Sequence, residues 1–397
     1  MGCAKGYLMA LSLRDRLGLA KKQVEAGVGL LSGPPTGLTC LRPFYYMHIS
    51  PGGWLYPCCP GFVTMPLGIG SNVRSFESAW NGAIARTYRT AMLSSRLDSV
   101  CRRDQCMFFM NGKLPRLANK KLNMAGVGAG LYPDGLQSDA EVLAAFQNGD
   151  TRLNYSPRSI ALACDKRCNL SCASCRSTRT TTLGKEESAF LDKASEYIHS
   201  IGENLLEIEL SGAGEVFYSP FSLALLRSMS RKAFPRLKVH VVTNGQLLNE
   251  RLWESLGEGR SLVKRIDVSI DAATGPTYES IRVGGSWTRL VDNIKFVSLL
   301  RRTGEVERLV FNFVMSARNF REIPLFIDMA QEFGVDMVFM TPLANWGKAM
   351  RYEFEKDAVH FPGHPLHAEF KKTVSDARKR SSIITFGLKI ETGADET

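Results

Sequence analysis

Six short apolar runs alternate with segments of helical spacing from residue 158 onward. The runs are residues 159–164, 205–212, 238–245, 263–271, 308–316 and 335–343. Each has the length and the apolar content of a buried strand. Intervening segments such as 185–202 and 320–336 carry apolar residues at helical spacing and a Gly near their ends. This alternation predicts an α/β fold whose parallel sheet closes into a partial (β/α)6 TIM-like barrel, with a doubly wound open sheet as the alternative.

Candidate functional motifs follow the ends of these strands. The first strand is followed by "CDKRCNLSCASCR", the second ends in "SGAGE", the third in "TNG" and the fourth in "SIDA". In both architectures, ligands bind beyond the carboxyl ends of the strands. We therefore expect one mouth of the barrel to collect these motifs.

Composition and charge exclude several classes of protein. Hydrophobic residues at 44% and charged residues at 22% are ordinary globular values. No apolar run approaches the roughly 18–20 residues of a membrane helix, and no signal peptide is evident, so we expect a cytoplasmic enzyme that does not enter a membrane. The net charge of +11 is spread along the chain, with residues 113–122 as the densest basic stretch, and does not favour a nucleic-acid partner.

The ten cysteines are grouped rather than scattered. An upstream set comprises Cys40, Cys58, Cys59, Cys101 and Cys106. A loop set comprises Cys164, Cys168, Cys172 and Cys175, and Cys3 stands apart with no expected role. Disulfides belong mainly to secreted chains, whereas clustered thiols in a reducing compartment more often bind metal.

The loop set contains a C-x3-C-x2-C spacing formed by Cys168, Cys172 and Cys175. Three thiolates on a tight loop can bind three irons of a four-iron cubane and leave the fourth iron open for a substrate or cofactor. A structural zinc site would usually need four protein ligands. Cys164, four residues earlier, could donate a hydrogen atom to a substrate radical, or it could simply be a small buried residue at a strand end.

The run "CNLSCASC" resembles the radical SAM superfamily, as do the turn "SGAGEVF" and the sequence "SIDA". The resemblance implies a 4Fe-4S cluster that chelates S-adenosyl-L-methionine, whose reductive cleavage gives a 5′-deoxyadenosyl radical that abstracts a hydrogen atom. It also implies an electron donor such as flavodoxin or ferredoxin. The residues that it assigns to cofactor binding are Glu215, Ser269, Asp271 and Arg282, and Asn244 is a further candidate that turn geometry explains equally well.

The upstream cysteines resemble the auxiliary-cluster domains called SPASM and twitch. Cys40, Gly53 and Cys58 have the C-x12-G-x4-C spacing, and "SPGG" between aromatic runs predicts a β-hairpin. The resemblance implies an auxiliary 4Fe-4S cluster bound by these two cysteines with Cys101 and Cys106; Cys59 could substitute as a ligand, and zinc remains the alternative metal. The pair spacing is C-x4-C, and the domain precedes the barrel, whereas in the family it usually follows it.

The predicted organisation has four parts. They are a small α+β metal-cluster domain at 1–112, a connector at 113–157, a radical SAM core at 158–345 and a C-terminal extension at 346–397. Within them, residues 75–95 predict one helix with a Ser N-cap, and residues 138–147 predict a short helix.

The resemblance implies an oxidoreductase or transferase-like enzyme that oxidatively modifies a peptide or protein side chain. Carbohydrates and other small-molecule natural-product intermediates are the alternative substrates, and RNA is a weaker one that rests on charge alone. The non-enzyme alternative is a metal-stabilised binding protein. The outcome of hydrogen abstraction, oxidative or redox-neutral, and the oligomeric state do not follow from the sequence.

Overall fold

The structure is a computed structural model that describes residues 34–118, 121–123, 133–210, 213–345 and 353–386. The described residues exclude residues 1–33 of the predicted first domain, and with them Cys3. They also exclude residues 346–352 and 387–397 of the predicted C-terminal extension. The chain splits into two compact units, Met1–Cys164 with Lys185–Ile208, and Asp165–Gly184 with Glu209–Thr397. The predicted domain boundaries stay a prediction.

The described helices and strands alternate along most of the chain. The α-helices are α1 (Arg42–Tyr45), α2 (Val73–Trp80), α3 (Ala83–Leu93), α4 (Met107–Met110), α5 (Ala140–Asn148), α6 (Lys185–Ile201), α7 (Pro220–Ser228), α8 (Glu250–Glu254), α9 (Gly275–Ile281), α10 (Trp287–Arg302), α11 (Ile323–Glu332), α12 (Phe354–Asp357) and α13 (His367–Arg380). The strands are β1 (Tyr46–Ile49), β2 (Trp54–Tyr56), β3 (Gly68–Ile69), β4 (Arg116–Ala118), β5 (Lys121–Asn123), β6 (Ser159–Leu162), β7 (Glu207–Leu210), β8 (Lys238–Thr243), β9 (Val263–Ser269), β10 (Arg308–Met315), β11 (Met337–Pro342) and β12 (Ile384–Phe386). All six predicted strands are present, as β6 to β11.

The first unit is built around the predicted hairpin. β1 and β2 pair antiparallel with His48 opposite Tyr56, and β1 also pairs in parallel with β6. Gly53 in the turn has a φ of 80°, and a Cβ there would lie 2.7 Å from the carbonyl oxygen of Gly70. Only glycine tolerates both conditions, which explains the glycine of the cysteine motif.

The second unit contains a parallel sheet. β8, β9, β10, β11 and β12 pair side by side in parallel, and helices connect successive strands. Phe311 and Phe313 on β10 pack against Phe326 of α11, which places an aromatic core between sheet and helix. These parallel strands and their helices confirm the predicted α/β class and fit a partial TIM-like barrel.

The single helix predicted over residues 75–95 is wrong, because the structure has two helices, α2 and α3, separated at Asn81 and Gly82. The Asn81 side chain accepts a hydrogen bond from the Leu153 amide and donates one to the Leu153 carbonyl, so a tertiary contact uses the residue at the break. The N-cap is Asn72 rather than Ser75, which instead occupies position N3 of a capping box.

Further elements differ from or agree with the sequence-based prediction. The short helix predicted over residues 138–147 is confirmed as α5, whose Asp139 caps the first turn. The β4–β5 hairpin and strand β12 were not predicted. Among the described residues, no helix combines the length and the apolar character needed to cross a bilayer.

Candidate functional site

The cysteine loop is held in place by its backbone. The Cys168 amide donates to the Thr180 carbonyl at 2.8 Å. The amides of Ser171 and Ala173 donate to the carbonyls of Val283 and Ile281, each at 3.0 Å, at the carboxyl end of α9. Backbone hydrogen bonds therefore hold the loop in place within the second unit.

The glycine-rich turn packs directly against this loop. A Cβ at Gly214 would lie 2.3 Å from the Arg167 carbonyl oxygen and 2.6 Å from that of Asp165. Arg176 donates to the Lys166 carbonyl at 2.8 Å and to the Ala213 carbonyl at 2.6 Å. The absence of a side chain at Gly214 and the Arg176 bridge thus bring the turn and the cysteine loop into contact.

Glu215 follows Gly214 and is almost fully buried. Its carboxylate accepts hydrogen bonds from the Thr243 hydroxyl at 2.6 Å, from the Asn244 amide at 2.6 Å and from the Phe217 amide at 3.2 Å. Burial raises the pKa of Glu215, and these three donors partly oppose that shift. The carboxylate is therefore held in one orientation at the end of β8.

Asn244 connects Glu215 to the cysteine loop. Besides its amide contact to Glu215, its side-chain nitrogen donates to the side-chain oxygen of Asn169 at 2.9 Å. Asn169 lies directly after Cys168. Two of the predicted cofactor-binding residues, Glu215 and Asn244, thus share one hydrogen-bond network with the cysteine loop.

Asp271 and Arg282 form a buried ion pair beside Cys172. Arg282 Nη2 lies 2.7 Å from Asp271 Oδ2, and Arg282 Nη1 lies 3.7 Å from the Cys172 sulfur. Burial alone would lower the pKa of Arg282, but the Asp271 carboxylate and the Cys172 thiol raise it above its usual value. Asp271 also accepts from the Val314 amide at 2.8 Å and has a φ of 66°. The contacts of the Asp271 carboxylate and the backbone conformation of Asp271 therefore both fix the orientation of this side chain.

Ser269 is the remaining predicted cofactor-binding residue. It lies half-buried at the last position of β9, opposite Asn312 of β10. The Oδ1 atom of Asn312 is buried without a hydrogen-bond partner among the described residues. This end of the sheet therefore presents polar atoms near Asp271, which comes two residues after Ser269.

The three loop thiols differ in exposure. Cys168 and Cys172 are buried and Cys175 is exposed. Burial raises the pKa of Cys168 to about 11 and also raises that of Cys172, so both are protonated thiols in the absence of iron. Cys164 is buried, with 5% of its surface exposed, and ends the first unit at the start of the loop sequence.

The four upstream cysteines assigned to an auxiliary site line one cavity in the first unit. Its other lining residues are mainly apolar and aromatic. The cysteines are Cys40, Cys58, Cys101 and Cys106. Cys59 is not among the lining residues. The predicted ligand set is therefore brought together, and the alternative thiol is not part of it.

Burial also sets the protonation of these upstream thiols. It raises the pKa of Cys40 to about 12, and the pKa values of Cys101 and Cys106 are raised for the same reason. Thiols in a mainly apolar cavity bind soft metals once deprotonated, because the metal replaces the proton and satisfies the charge.

The spacing of the thiols bears on the kind of metal. Among the described residues, no three His, Cys, Asp or Glu side chains already lie close enough to bind one metal ion. In a four-iron cluster each thiolate binds a different iron, so its ligands lie farther apart than those of a single zinc ion. Both sets of thiols fit a cluster in their donor chemistry.

Sequence reasoning missed several residues of these sites. Asn169 joins the cysteine loop to the residue after β8, Thr243 joins β8 to the glycine turn, and Arg176 joins the loop to that turn. Asn169 lies inside the cysteine motif, and Thr243 lies inside the apolar run that forms β8. Their positions within these motifs are the feature of the sequence that could have identified them as site residues. The hydrogen bonds themselves join residues up to 75 positions apart and carry no local signature.

Comparisons with known proteins match two ranges of this chain. Residues 166–340 match the Radical SAM superfamily, and residues 40–107 match SPASM, an iron-sulfur cluster-binding domain. The chain is 29% identical over 183 residues to the AdoMet-dependent heme synthase of Methanosarcina barkeri, which covers 46% of this chain and 49% of that protein. The chain thus spans about half the length of this curated relative.

Two solved structures are similar in fold. SuiB of Streptococcus suis bound to S-adenosylmethionine has a TM-score of 0.43 and 15% identity, over 64% of this chain and 56% of SuiB. Native anSMEcpe with bound AdoMet has a TM-score of 0.39 and 14% identity, over 55% of this chain and 59% of that chain.

The two domain matches imply the cofactors. A radical SAM domain implies a 4Fe-4S cluster with S-adenosylmethionine, and a SPASM domain implies an auxiliary iron-sulfur cluster, which favours iron-sulfur over the zinc alternative. The loop thiols and Glu215 lie within the range of the radical SAM match, and the four cysteines that line the cavity lie within the range of the SPASM match. This chain therefore contains a radical SAM domain and, upstream of it, a SPASM-type auxiliary domain.

Proposed function

We propose that this protein is a radical SAM enzyme that oxidatively modifies a peptide or protein side chain. The observation that carries the proposal is the network in which Asn169 of the cysteine loop bonds Asn244, whose amide bonds the Glu215 carboxylate. The Glu215 carboxylate is thereby linked to the cysteine loop at the carboxyl end of β8, the edge of a parallel sheet where α/β enzymes bind their ligands.

Each predicted residue has a proposed role. Cys168, Cys172 and Cys175 would hold the 4Fe-4S cluster, and Glu215 would accept hydrogen bonds from the amino group of S-adenosylmethionine. When bound, these cofactors supply a 5′-deoxyadenosyl radical, which takes a hydrogen atom from the substrate. Asn244 would keep Glu215 oriented.

The remaining cofactor-side residues would act as a group. Ser269 and Asp271 are proposed to contact the nucleoside or the carboxylate of S-adenosylmethionine, and Arg282 would neutralise negative charge beside Cys172. The Asp271 pair keeps the Arg282 guanidinium charged and directed at the Cys172 sulfur. In a redox-neutral reaction, Cys164 would instead return a hydrogen atom to the substrate radical, and no second electron would pass to the auxiliary cluster.

The upstream site would make the reaction oxidative. Cys40, Cys58, Cys101 and Cys106 would hold the auxiliary 4Fe-4S cluster, which can accept the second electron after hydrogen abstraction while solvent takes the proton. An acidic one-electron carrier such as flavodoxin or ferredoxin is proposed as the reductant for the first cluster. The cytoplasmic location stays a prediction.

A small-molecule substrate is the second candidate. It is favoured by the 29% identity to a protein named as an AdoMet-dependent heme synthase, since haem is a small organic molecule. Carbohydrate and other natural-product intermediates belong to the same class. RNA has no support beyond the net charge of +11.

The test is anaerobic incubation of the reconstituted protein with S-adenosylmethionine and a reductant, followed by chromatography of 5′-deoxyadenosine. Peptide, small-molecule and RNA pools are added separately, and the Cys168, Cys172, Cys175→Ala triple variant is the control. Stimulation by the peptide pool supports the proposal, and stimulation by small molecules alone supports the second candidate. Absence of 5′-deoxyadenosine in every mixture would leave a metal-stabilised binding protein.

A further inference from the structure

Arg42 lies among the four thiols of the upstream cavity. Its guanidinium lies over the Tyr46 ring, 4.4 Å from the ring centroid, and over the Phe108 ring at 4.9 Å. Its Nη1 atom lies 4.0 Å from the Cys58 sulfur. Two aromatic faces therefore hold a cation beside a proposed cluster ligand.

The charge of Arg42 has no carboxylate partner in the part of the chain that the structure describes. Among the residues that the structure describes, Arg42 forms no ion pair with Asp or Glu, and its Nε atom is buried without a hydrogen-bond partner. A shielded cation without a counter-charge is costly unless something negative occupies the site. The negative groups available in this cavity are the thiolates.

Arg103 lines the same cavity and provides the contrast. It stacks on Phe109 at 4.1 Å, but its Nη1 lies 2.8 Å from Asp98 and about half of its side chain is exposed. Its charge is thus already compensated and screened by water. Both arginines line the cavity, and each stacks on aromatic rings. They differ in that the charge of Arg103 is compensated by Asp98, whereas the charge of Arg42 is free to act on the thiolates.

We propose that Arg42 sets the reduction potential of the auxiliary cluster. This inference rests on the ligand set proposed above. Reduction adds one negative charge to a site that four thiolates already make negative. A fixed guanidinium with a donor directed at a ligand sulfur stabilises the reduced form more than the oxidised form and raises the potential. Arg42 is a positioning residue here, because it acts on electron acceptance without touching the substrate.

The test uses the Cys168, Cys172, Cys175→Ala triple variant as background, so that the upstream site is the one that binds iron. Redox titration followed by EPR is carried out on this background, on Arg42→Gln, on Arg42→Lys and on Arg103→Gln. At the midpoint potential of the background, we expect Arg42→Gln to lower the ratio of reduced to oxidised cluster about tenfold, equivalent to about 59 mV for one electron. Arg42→Lys keeps the charge but loses the planar stacking, so its shift should be smaller.

The outcomes separate the two proposals. Arg103→Gln should move the ratio less than Arg42→Lys does. An Arg42→Gln shift no larger than that of Arg103→Gln overturns the inference while leaving the ligand set intact, as does loss of iron from both Arg42 variants, which would mean a role in assembly. A background protein that binds no cluster contradicts the ligand set and the role of Arg42 together.

Discussion

The backbone amide of Asn244 donates a hydrogen bond of 2.6 Å to Oε2 of Glu215. The contact joins the end of β8 to the glycine-rich turn, and the Asn244 side chain continues the network to Asn169. The carboxylate proposed to bind S-adenosylmethionine is therefore oriented before any cofactor is present, which reduces the entropy lost on binding.

Glu215→Gln should weaken S-adenosylmethionine binding without loss of iron. The substitution keeps the shape of the side chain and removes the charge that would pair with an ammonium group, which corresponds to about a tenfold to hundredfold loss of affinity. Equilibrium dialysis with labelled S-adenosylmethionine measures this. The exposed Glu254→Gln variant is the matched control, and equal affinities for the two variants would contradict the role of Glu215.

Gly214→Ala should disrupt the loop site and leave the upstream site intact. The new methyl group would meet the Arg167 and Asp165 carbonyl oxygens at 2.3 and 2.6 Å, and backbone atoms cannot move aside as a flexible side chain can. Overpacking of this kind costs about 1–3 kcal/mol. Iron content should fall by about half, because each of two four-iron sites contributes equally.

Gly363→Ala is the control for that variant, since its Cβ would meet nothing within 4 Å. It should keep the full iron content. Full iron content in Gly214→Ala as well would show that the close packing of turn and loop does not matter for cluster binding.

Asp271→Asn should destabilise the second unit by about 3 kcal/mol, because it leaves the buried Arg282 cation without its partner. Asparagine tolerates the positive φ of this position, so the change isolates the charge. Urea unfolding of the cluster-free protein gives the free energy of unfolding. The exposed pair of Arg321 and Glu369 serves as comparison, and Glu369→Gln should cost less than about 1 kcal/mol. Similar losses for both variants would argue against a buried ion pair.

Cys58→Ala should abolish the auxiliary cluster, whereas Cys59→Ala should retain it. Cys58 lines the cavity with Cys40, Cys101 and Cys106, and Cys59 does not. Iron and sulfide content, measured in the triple-alanine background, distinguishes the two variants. Retention of the cluster in Cys58→Ala and its loss in Cys59→Ala would reverse the ligand assignment.

His360 should make stability depend on pH. Burial lowers its pKa to about 4, and His367 and His364 add to the effect. The unfolded chain has a His pKa of about 6.5, so the stability that neutral His360 contributes is present above that pH and is lost as the pH falls towards 4. With allowance for solvent screening, wild type should lose about 1–2 kcal/mol more than His360→Asn over this range.

The measurement is urea unfolding of the cluster-free protein at a series of pH values. His199→Asn, on the exposed face of α6, is the control and should follow wild type. Parallel stability curves for wild type and His360→Asn would show that this histidine is not the group responsible.

The sequence predicted the elements that depend on local pattern. Runs such as 238–245 and 308–316 became β8 and β10, because a buried parallel strand needs a continuous apolar run wherever it occurs. Strand β12 was missed since three residues, Ile384–Phe386, are too few to produce a periodic signal. The break between α2 and α3 was missed because Asn81 bonds Leu153, 72 positions away.

For the candidate sites too, local sequence patterns were predictable and contacts between distant residues were not. Motif spacing predicted which thiols belong together, because a cluster requires several ligands within reach of one another. It did not predict Asn169, Thr243 or Arg42, whose contributions arise from contacts between distant parts of the chain. In the sequence, nothing distinguishes Arg42 from other charged residues. Its proposed role follows from its contacts with two aromatic rings in the structure.

The most direct test of the account is the iron, sulfide and zinc content of anaerobically reconstituted protein, with EPR after reduction. Wild type should contain about two four-iron clusters, and the Cys168, Cys172, Cys175→Ala variant should keep about one, with EPR features of a reduced cluster. A variant that loses all iron, or that carries zinc instead, would contradict the auxiliary cluster and with it the oxidative function.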